Sequence, residues 1–275
     1  MNILPALMVA TVLLLAPLSA STQDDIPFRW PNGARAAVSL AYDDALESQL
    51  DHAIPALERH GFRGSFYLTL ANPSVRTRLE EWRAAAGRGH ELGNHTLFHP
   101  CSKSLPEREW VADWLDLDGI TVAELQQHVV LANTILHAID GREQRTLTAP
   151  CGDLHAAGEY YLDAVKGEFV AIKARAGGVT PDMRTLDPYQ VGVDAPVGVS
   201  GAELIATVRH AAALGTMANL TFHGVGGDYL SVSVEAHEQL LRHLADNRDV
   251  YWVDTFLNIM QYVEASREGK VDKSE

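Results

Sequence analysis

Short apolar runs alternate with longer stretches of helical spacing along almost the whole chain, and this alternation limits the fold more than any other feature. Residues 36–41 form an apolar run of the kind found in strands buried on both faces. Similar short runs at 65–68, 91–94, 145–149, 169–172, 189–193, 219–222 and 250–253 predict further strands. Between them, helical spacing predicts helices over 46–60, 74–86, 121–139, 156–165, 201–214, 234–246 and 255–263. Thr121 with Glu124 three residues later reads as a capping box, and Ser200 caps the helix that follows it. Residues 24–35 form an irregular entry, and residues 101–120 are less regular, with Trp110 and Trp114 among several acids. Strands that alternate with helices imply a mainly parallel sheet joined by crossovers. The expected architecture is therefore α/β, a distorted (β/α) barrel of seven or eight strands.

The chain of 275 residues is long enough for one such domain with a large core, expected over residues 22–263, ahead of a polar tail at 264–275. Residues 3–18 are almost wholly apolar and lead into Ser19-Ala20-Ser21-Thr22. The run is short for a membrane span and precedes small residues, so residues 1–21 are expected to be a signal peptide cut near Ala20 or Ser21, with an uncleaved anchor as the alternative because no Lys or Arg precedes the run. The mature chain is then secreted or periplasmic, with no stable membrane span. A net charge of −14 argues against nucleic acid as a partner, because phosphate binding requires a basic face. The same charge makes a neutral substrate more plausible than an anionic one. Both cysteines, Cys101 and Cys151, directly follow prolines. In an exported protein such a pair suggests one disulfide; two buried free thiols are the competing reading. Nothing in the sequence sets an oligomeric state.

Three separated segments carry the chemistry. Asp43-Asp44 ends the first apolar run, Asn94-His95-Thr96-Leu97-Phe98-His99-Pro100 follows the third, and Leu220-Thr221-Phe222 ends on His223-Gly224. In a barrel of parallel strands the reactive side chains sit at the C-terminal strand ends, where these residues fall. One carboxylate and two imidazoles can hold a divalent metal and leave positions open. A second carboxylate and a third imidazole are then available as general base and general acid. Taken singly, each piece has a plainer explanation. His95 and His99 suit structural roles, and Asp43-Asp44 suits the N-terminus of the next helix.

Together, Tyr42-Asp43-Asp44-Ala45, His95-Thr96-Leu97-Phe98-His99-Pro100, Ala149-Pro150-Cys151-Gly152 and Phe222-His223-Gly224 resemble the polysaccharide deacetylase family (carbohydrate esterase family 4, the NodB-homology domain) over roughly residues 35–260. The resemblance implies hydrolysis of N- or O-acetyl groups on a carbohydrate. It implies that Asp44, His95 and His99 bind a divalent metal, usually zinc. It makes Asp43 the general base, the Cys151 backbone N–H an oxyanion donor and His223 the acid that protonates the leaving group. Asp194 is expected to orient His223, with a helix-capping or surface acid as the alternative. Trp110 and Trp114 offer a sugar-stacking wall, with ordinary packing as the alternative; Asp228 and Tyr229 are further candidates for the cleft. The family's third segment commonly carries an arginine that holds the catalytic aspartate. Here Thr148 or Ala149 stands in its place, and Arg145 is close only in sequence. That departure motivates a second reading, a catalytically inactive glycan-binding protein on the same fold. A metal-dependent amidase acting on a non-sugar substrate is a third.

Overall fold

The computed structural model describes residues 28–270. The expected signal peptide lies outside the described residues. From the N-terminus, β1 (Ala36–Asp43) leads through a π-helical turn, Gln49–Ala53, into α1 (Ile54–Arg59). Then follow β2 (Ser65–Leu68), α2 (Pro73–Thr77), α3 (Leu79–Gly87) and β3 (Glu91–Asn94). The longest helix, α4 (Val122–Asp140), precedes β4 (Thr146–Thr148), a small hairpin of β5 (His155–Ala156) and β6 (Glu159–Tyr160), and α5 (Leu162–Val165). The chain continues with β7 (Ala171–Ala176), β8 (Val191–Val193), α6 (Gly201–Leu214), β9 (Met217–Phe222), α7 (Val234–Asp246), β10 (Tyr251–Asp254) and α8 (Phe256–Arg267).

All of these strands except β5 and β6 form a mainly parallel eight-stranded sheet that curls almost into a barrel. One run of neighbours is β1-β2-β3-β4-β7-β8, and β9 lies against the other side of β1. A parallel bridge between Asp194 and Leu220 brings β8 to β9 and closes the ring. β10 pairs with the first half of β1, from Ala36 to Ser39, and β2 with the last part, from Ala41 to Asp43. Every residue of β1 is buried because the strand is covered on both faces. Its outward side chains, Val38, Leu40 and Tyr42, pack under the helices with Leu204, Leu240 and Leu241. Its inward residues Ala37 and Ala41 join Met217, Ala171, Val191 and Phe256 in the barrel. Among the described residues no helix is long and apolar enough to cross a membrane.

The capping box forms at Thr121–Glu124 as the sequence predicts, and the expected cap Ser200 makes a second box with Glu203. Three elements differ. The helix expected over 74–86 is interrupted at Arg78 (φ −126°, ψ 31°), where ion pairs to Glu47, Asp51 and Glu81 converge. The stretch 156–165 is not one helix. Ala157 and Gly158 take positive φ and turn the chain into a hairpin, which leaves only Leu162–Val165 helical. The last helix runs on to Arg267, whose guanidinium donates to the carbonyls of Met183 and Leu186 and so ties the helix end to the barrel.

Tyr42 anchors the outer layer. Its ring stacks on Phe66 and Phe222, and its hydroxyl lies 2.6 Å from His237 Nε2. Burial pushes His237 down to about 4, so the neutral ring accepts a hydrogen bond from the Tyr42 hydroxyl. Tyr42→Phe removes that donor and strands a buried nitrogen. A loss of about 1–3 kcal/mol in urea unfolding is expected, with metal content unchanged.

Candidate active site

The parallel strands deliver their C-terminal ends to one mouth, and the chemistry-bearing residues collect there. Asp43 is the last residue of β1. Asp44 (φ 78°) and Ala45 (φ 59°) then take left-handed backbone, and Asp44 N–H donates to Tyr67 carbonyl at 3.0 Å. This turn lets two adjacent carboxylates enter the same pocket, both almost fully buried. Left-handed residues other than glycine cost energy and concentrate at working sites. Thr96, His99, Cys151 and Asp228 share that conformation around the same mouth.

The histidine segment is shaped by Asn94 and Thr96. Asn94 Oδ1 accepts from Thr96 N–H at 2.7 Å, while its amide donates to Asn133 Oδ1 and the Val129 carbonyl on α4. Thr96 Oγ1 accepts from His99 N–H at 3.0 Å, closing a turn that brings the two imidazoles to a centroid distance of 4.6 Å. His95 Nδ1 lies 2.7 Å from the Thr148 carbonyl at the end of β4, so it carries the proton and donates. That leaves Nε2 facing the pocket, 3.3 Å from Asp44 Oδ1 and 3.8 Å from Asp43 Oδ2. His99 Nε2 is 3.4 Å from the same Asp44 oxygen. His223 Nε2 approaches the other Asp44 oxygen at 3.8 Å, and Tyr229 hydroxyl donates to that oxygen at 2.9 Å.

Electrostatics suit a cation. Burial raises Asp43. It raises Asp44 too, but the hydrogen bond and charge of His95, then His99 and His223, outweigh it and hold Asp44 well below the usual carboxylate range. Burial lowers His95, yet Asp43 and Asp44 overcome it and bring the ring up to about 9. Burial and the neighbouring His95 charge push His99 down to about 4. The pocket thus concentrates negative potential on the point that Asp44, His95 and His99 share. Their ligand atoms all lie within 4.8 Å of one another. One carboxylate with two imidazoles, one of them fixed through its other nitrogen by a carbonyl, is a donor set that fits zinc. His99, Cys101 and Cys151 also lie close together, but the two sulfurs are bonded to each other and do not ligate.

The Cys101–Cys151 disulfide joins the histidine segment to the turn after β4, with Cα atoms 5.9 Å apart. It holds Cys151 (φ 57°) in the Pro150–Gly152 turn beside the imidazoles, and His99 Nδ1 lies 3.4 Å from Cys101 Sγ. The sequence separation is 50 residues. A Cys101→Ala/Cys151→Ala variant is therefore expected to lose about 4 kcal/mol in denaturant unfolding. An unchanged midpoint would remove the crosslink from the stability of the fold.

Some expected residues stand elsewhere. Asp194 does not hold His223. Its backbone is spent on closing the barrel, with its N–H on Asn219 carbonyl and its carbonyl on Thr221 N–H, while its side chain is exposed in a cleft beside Val179 and His210. His223 Nδ1 is buried and has no hydrogen-bond partner. Arg145 does not reach Asp43. It is buried against Asp140 and donates to the Leu92 carbonyl on the outer side of the sheet. Asp228 turns away from the cleft and accepts from Ser48 N–H at 2.8 Å. Trp110 and Trp114 are 63% and 67% exposed; Trp114 meets the edge of Phe98 in the histidine segment, and Arg108 lies over Trp110. They are surface rings on the rim, not core packing. Gln49, which no sequence pattern marked, donates to the carbonyls of both Asp43 and His223 and so ties the ends of β1 and β9 together.

Comparison with known proteins bears on the fold and the family. A solved structure from Mycobacterium smegmatis, described provisionally as a polysaccharide deacetylase, superposes with a TM-score of 0.60 at 13% identity, over 88% of this chain and 94% of that one. The peptidoglycan deacetylase PdaC of Bacillus subtilis gives 0.54 at 16% identity, over 86% and 94%. A wild-type carbohydrate esterase family 4 pseudoenzyme of Bacillus anthracis gives 0.51 at 15%, over 83% and 66%. At such identities the likeness is one of fold. In sequence, a gellan lyase of a Bacillus species is 27% identical over 137 residues, which is 49% of this chain and only 5% of that protein. The polysaccharide deacetylase profile matches residues 28–166, half of the chain, and that stretch holds Asp43, Asp44, His95, His99 and Cys151. This chain belongs to the polysaccharide deacetylase family.

Proposed function

We propose that the chain is an exported, metal-dependent hydrolase that removes N- or O-acetyl groups from a carbohydrate. The observation that carries this reading is the convergence of Asp44, His95 and His99 on one point, with Asp43 and His223 at its edge. When bound, a divalent ion supplies Lewis-acid polarisation of the acetyl carbonyl and acidifies water at the site. Asp43 takes the proton of the attacking water. The Cys151 N–H donates to the oxygen on which charge develops. His223 returns a proton to the departing amine or alcohol. Each proton transfer is worth ~10²–10⁴-fold. A net charge of −14 favours a neutral glycan, and the Trp110 and Trp114 rings on the rim suit a pyranose face. Export is supported by the apolar residues 3–18 and by the disulfide, which belongs to an oxidising compartment.

The test is acetate release from a panel of acetylated chitin-type, peptidoglycan, xylan and exopolysaccharide substrates, with chelator and with added zinc. Chelator-sensitive acetate is expected. Amine or ammonia without acetate indicates the amidase reading instead. The inactive glycan-binding reading draws on the absent arginine and on His223 Nδ1, which lacks an orienting acid. Glycan retention with no product from any substrate would favour it.

A further inference from the structure

Lys173, in β7, is only 1% exposed. The strand register pairs Thr148 with Lys173, Ser39 with Asn219 and Asp43 with Tyr67, so all of these side chains belong to the inward face of the barrel. The ammonium lies 3.4 Å from Ser39 Oγ and over the rings of Tyr67 (5.1 Å) and Phe256 (4.6 Å). Ser39 lies on the inward face of β1, deeper in the barrel than Asp43. Among the described residues Lys173 forms no direct ion pair. A lysine buried without a direct ion pair is costly, so its presence here asks for a reason.

Two carboxylates act on it through the barrel interior, Asp43 and Glu91. Glu91 is already satisfied. Its oxygens accept from Ser65 Oγ, the Leu257 N–H and Thr146 Oγ1. Asp43 is not. Its Oδ2 faces His95 Nε2 at 3.8 Å, but its Oδ1 is buried with no hydrogen-bond partner, and Arg145, paired with Asp140, is turned to the other side of the sheet. Among the described residues, the barrel interior thus holds in Lys173 a cation without an ion pair and in Asp43 Oδ1 a carboxylate oxygen without a hydrogen bond. Burial lowers the Lys173 ammonium to about 8, opposed by Asp43 and Glu91, which leaves it largely charged at neutral pH.

We propose that Lys173 is the positioning residue for Asp43, supplying from β7 the counter-charge that the third segment lacks. This rests on Asp43 acting as the general base. Lys173 does not touch the reacting atoms; it holds the Asp43 carboxylate from below, through the polar middle of the barrel.

The test is a double-mutant cycle with Lys173→Met and Asp43→Asn, read by urea unfolding of the metal-free protein, where activity plays no part. With Lys173 present, Asp43→Asn leaves the ammonium without its partner and destabilises. In the Lys173→Met background the same change is neutral or stabilising. The expected non-additivity is about tenfold or more in the unfolding constant. Lys173→Gln replaces Lys173→Met in the cycle if the methionine variant does not fold. On an acetylated substrate, Lys173→Met is expected to lower kcat by about 10–100-fold with KM and bound zinc unchanged, and Lys173→Arg to recover part of it. Additive stabilities, or an unchanged kcat in Lys173→Met, overturn the proposal. If the wild-type chain releases no acetate, the deacetylase reading fails, while the stability cycle still decides the pairing.

Discussion

Asp43→Asn is expected to lower kcat for acetate release by about 10²–10⁴-fold while bound zinc stays stoichiometric. Asparagine keeps the shape of the side chain but cannot accept the proton of the attacking water at neutral pH. The three candidate ligands are Asp44, His95 and His99, so the metal set is intact. Asp43 Oδ2 lies 3.8 Å from His95 Nε2, which also predicts a modest change in metal affinity through the lost charge. Metal analysis of the purified variant, beside its kcat, separates the two effects. Near-normal turnover would take Asp43 out of the role of base. Loss of metal together with turnover would make it a ligand instead.

His95→Ala is the second large effect: stoichiometric metal binding is lost, and activity with it. Two ligands, Asp44 and His99, remain, and a two-ligand site cannot hold zinc against a chelator. The change also removes the donor to the Thr148 carbonyl and opens a buried space. Circular dichroism and a urea midpoint must therefore accompany the metal analysis. His95→Gln, which refills most of the volume, should fold as well as the parent and still fail to retain zinc at one equivalent. Retention of one equivalent by either folded variant would reject His95 as a ligand.

Much of this site was legible in one dimension because a parallel barrel converts sequence position into depth. An apolar run that ends on Asp43-Asp44, a short run that ends at Asn94-His95 and another that ends at Phe222-His223 all place polar residues at C-terminal strand ends. The capping box at Thr121 and the cap at Ser200 were legible for a related reason, since a cap needs only residues within one turn. The hairpin at 155–160 was not, because its apolar spacing also suits a helix and a left-handed Ala157-Gly158 turn decided otherwise. The break at Arg78 depended on acids from another helical segment.

By itself the chain determined which residues are reactive, which strands carry them and that those strands run parallel, since each follows from local periodicity and from the order of elements. Only the tertiary structure decided how the strands meet side by side, and therefore which charges face each other. Barrel closure used the Asp194 backbone and left His223 without that acid; strand register turned Arg145 outward and Lys173 inward. These outcomes depend on stagger between strands far apart in the chain, and a one-residue slip would send each of these side chains to the opposite face.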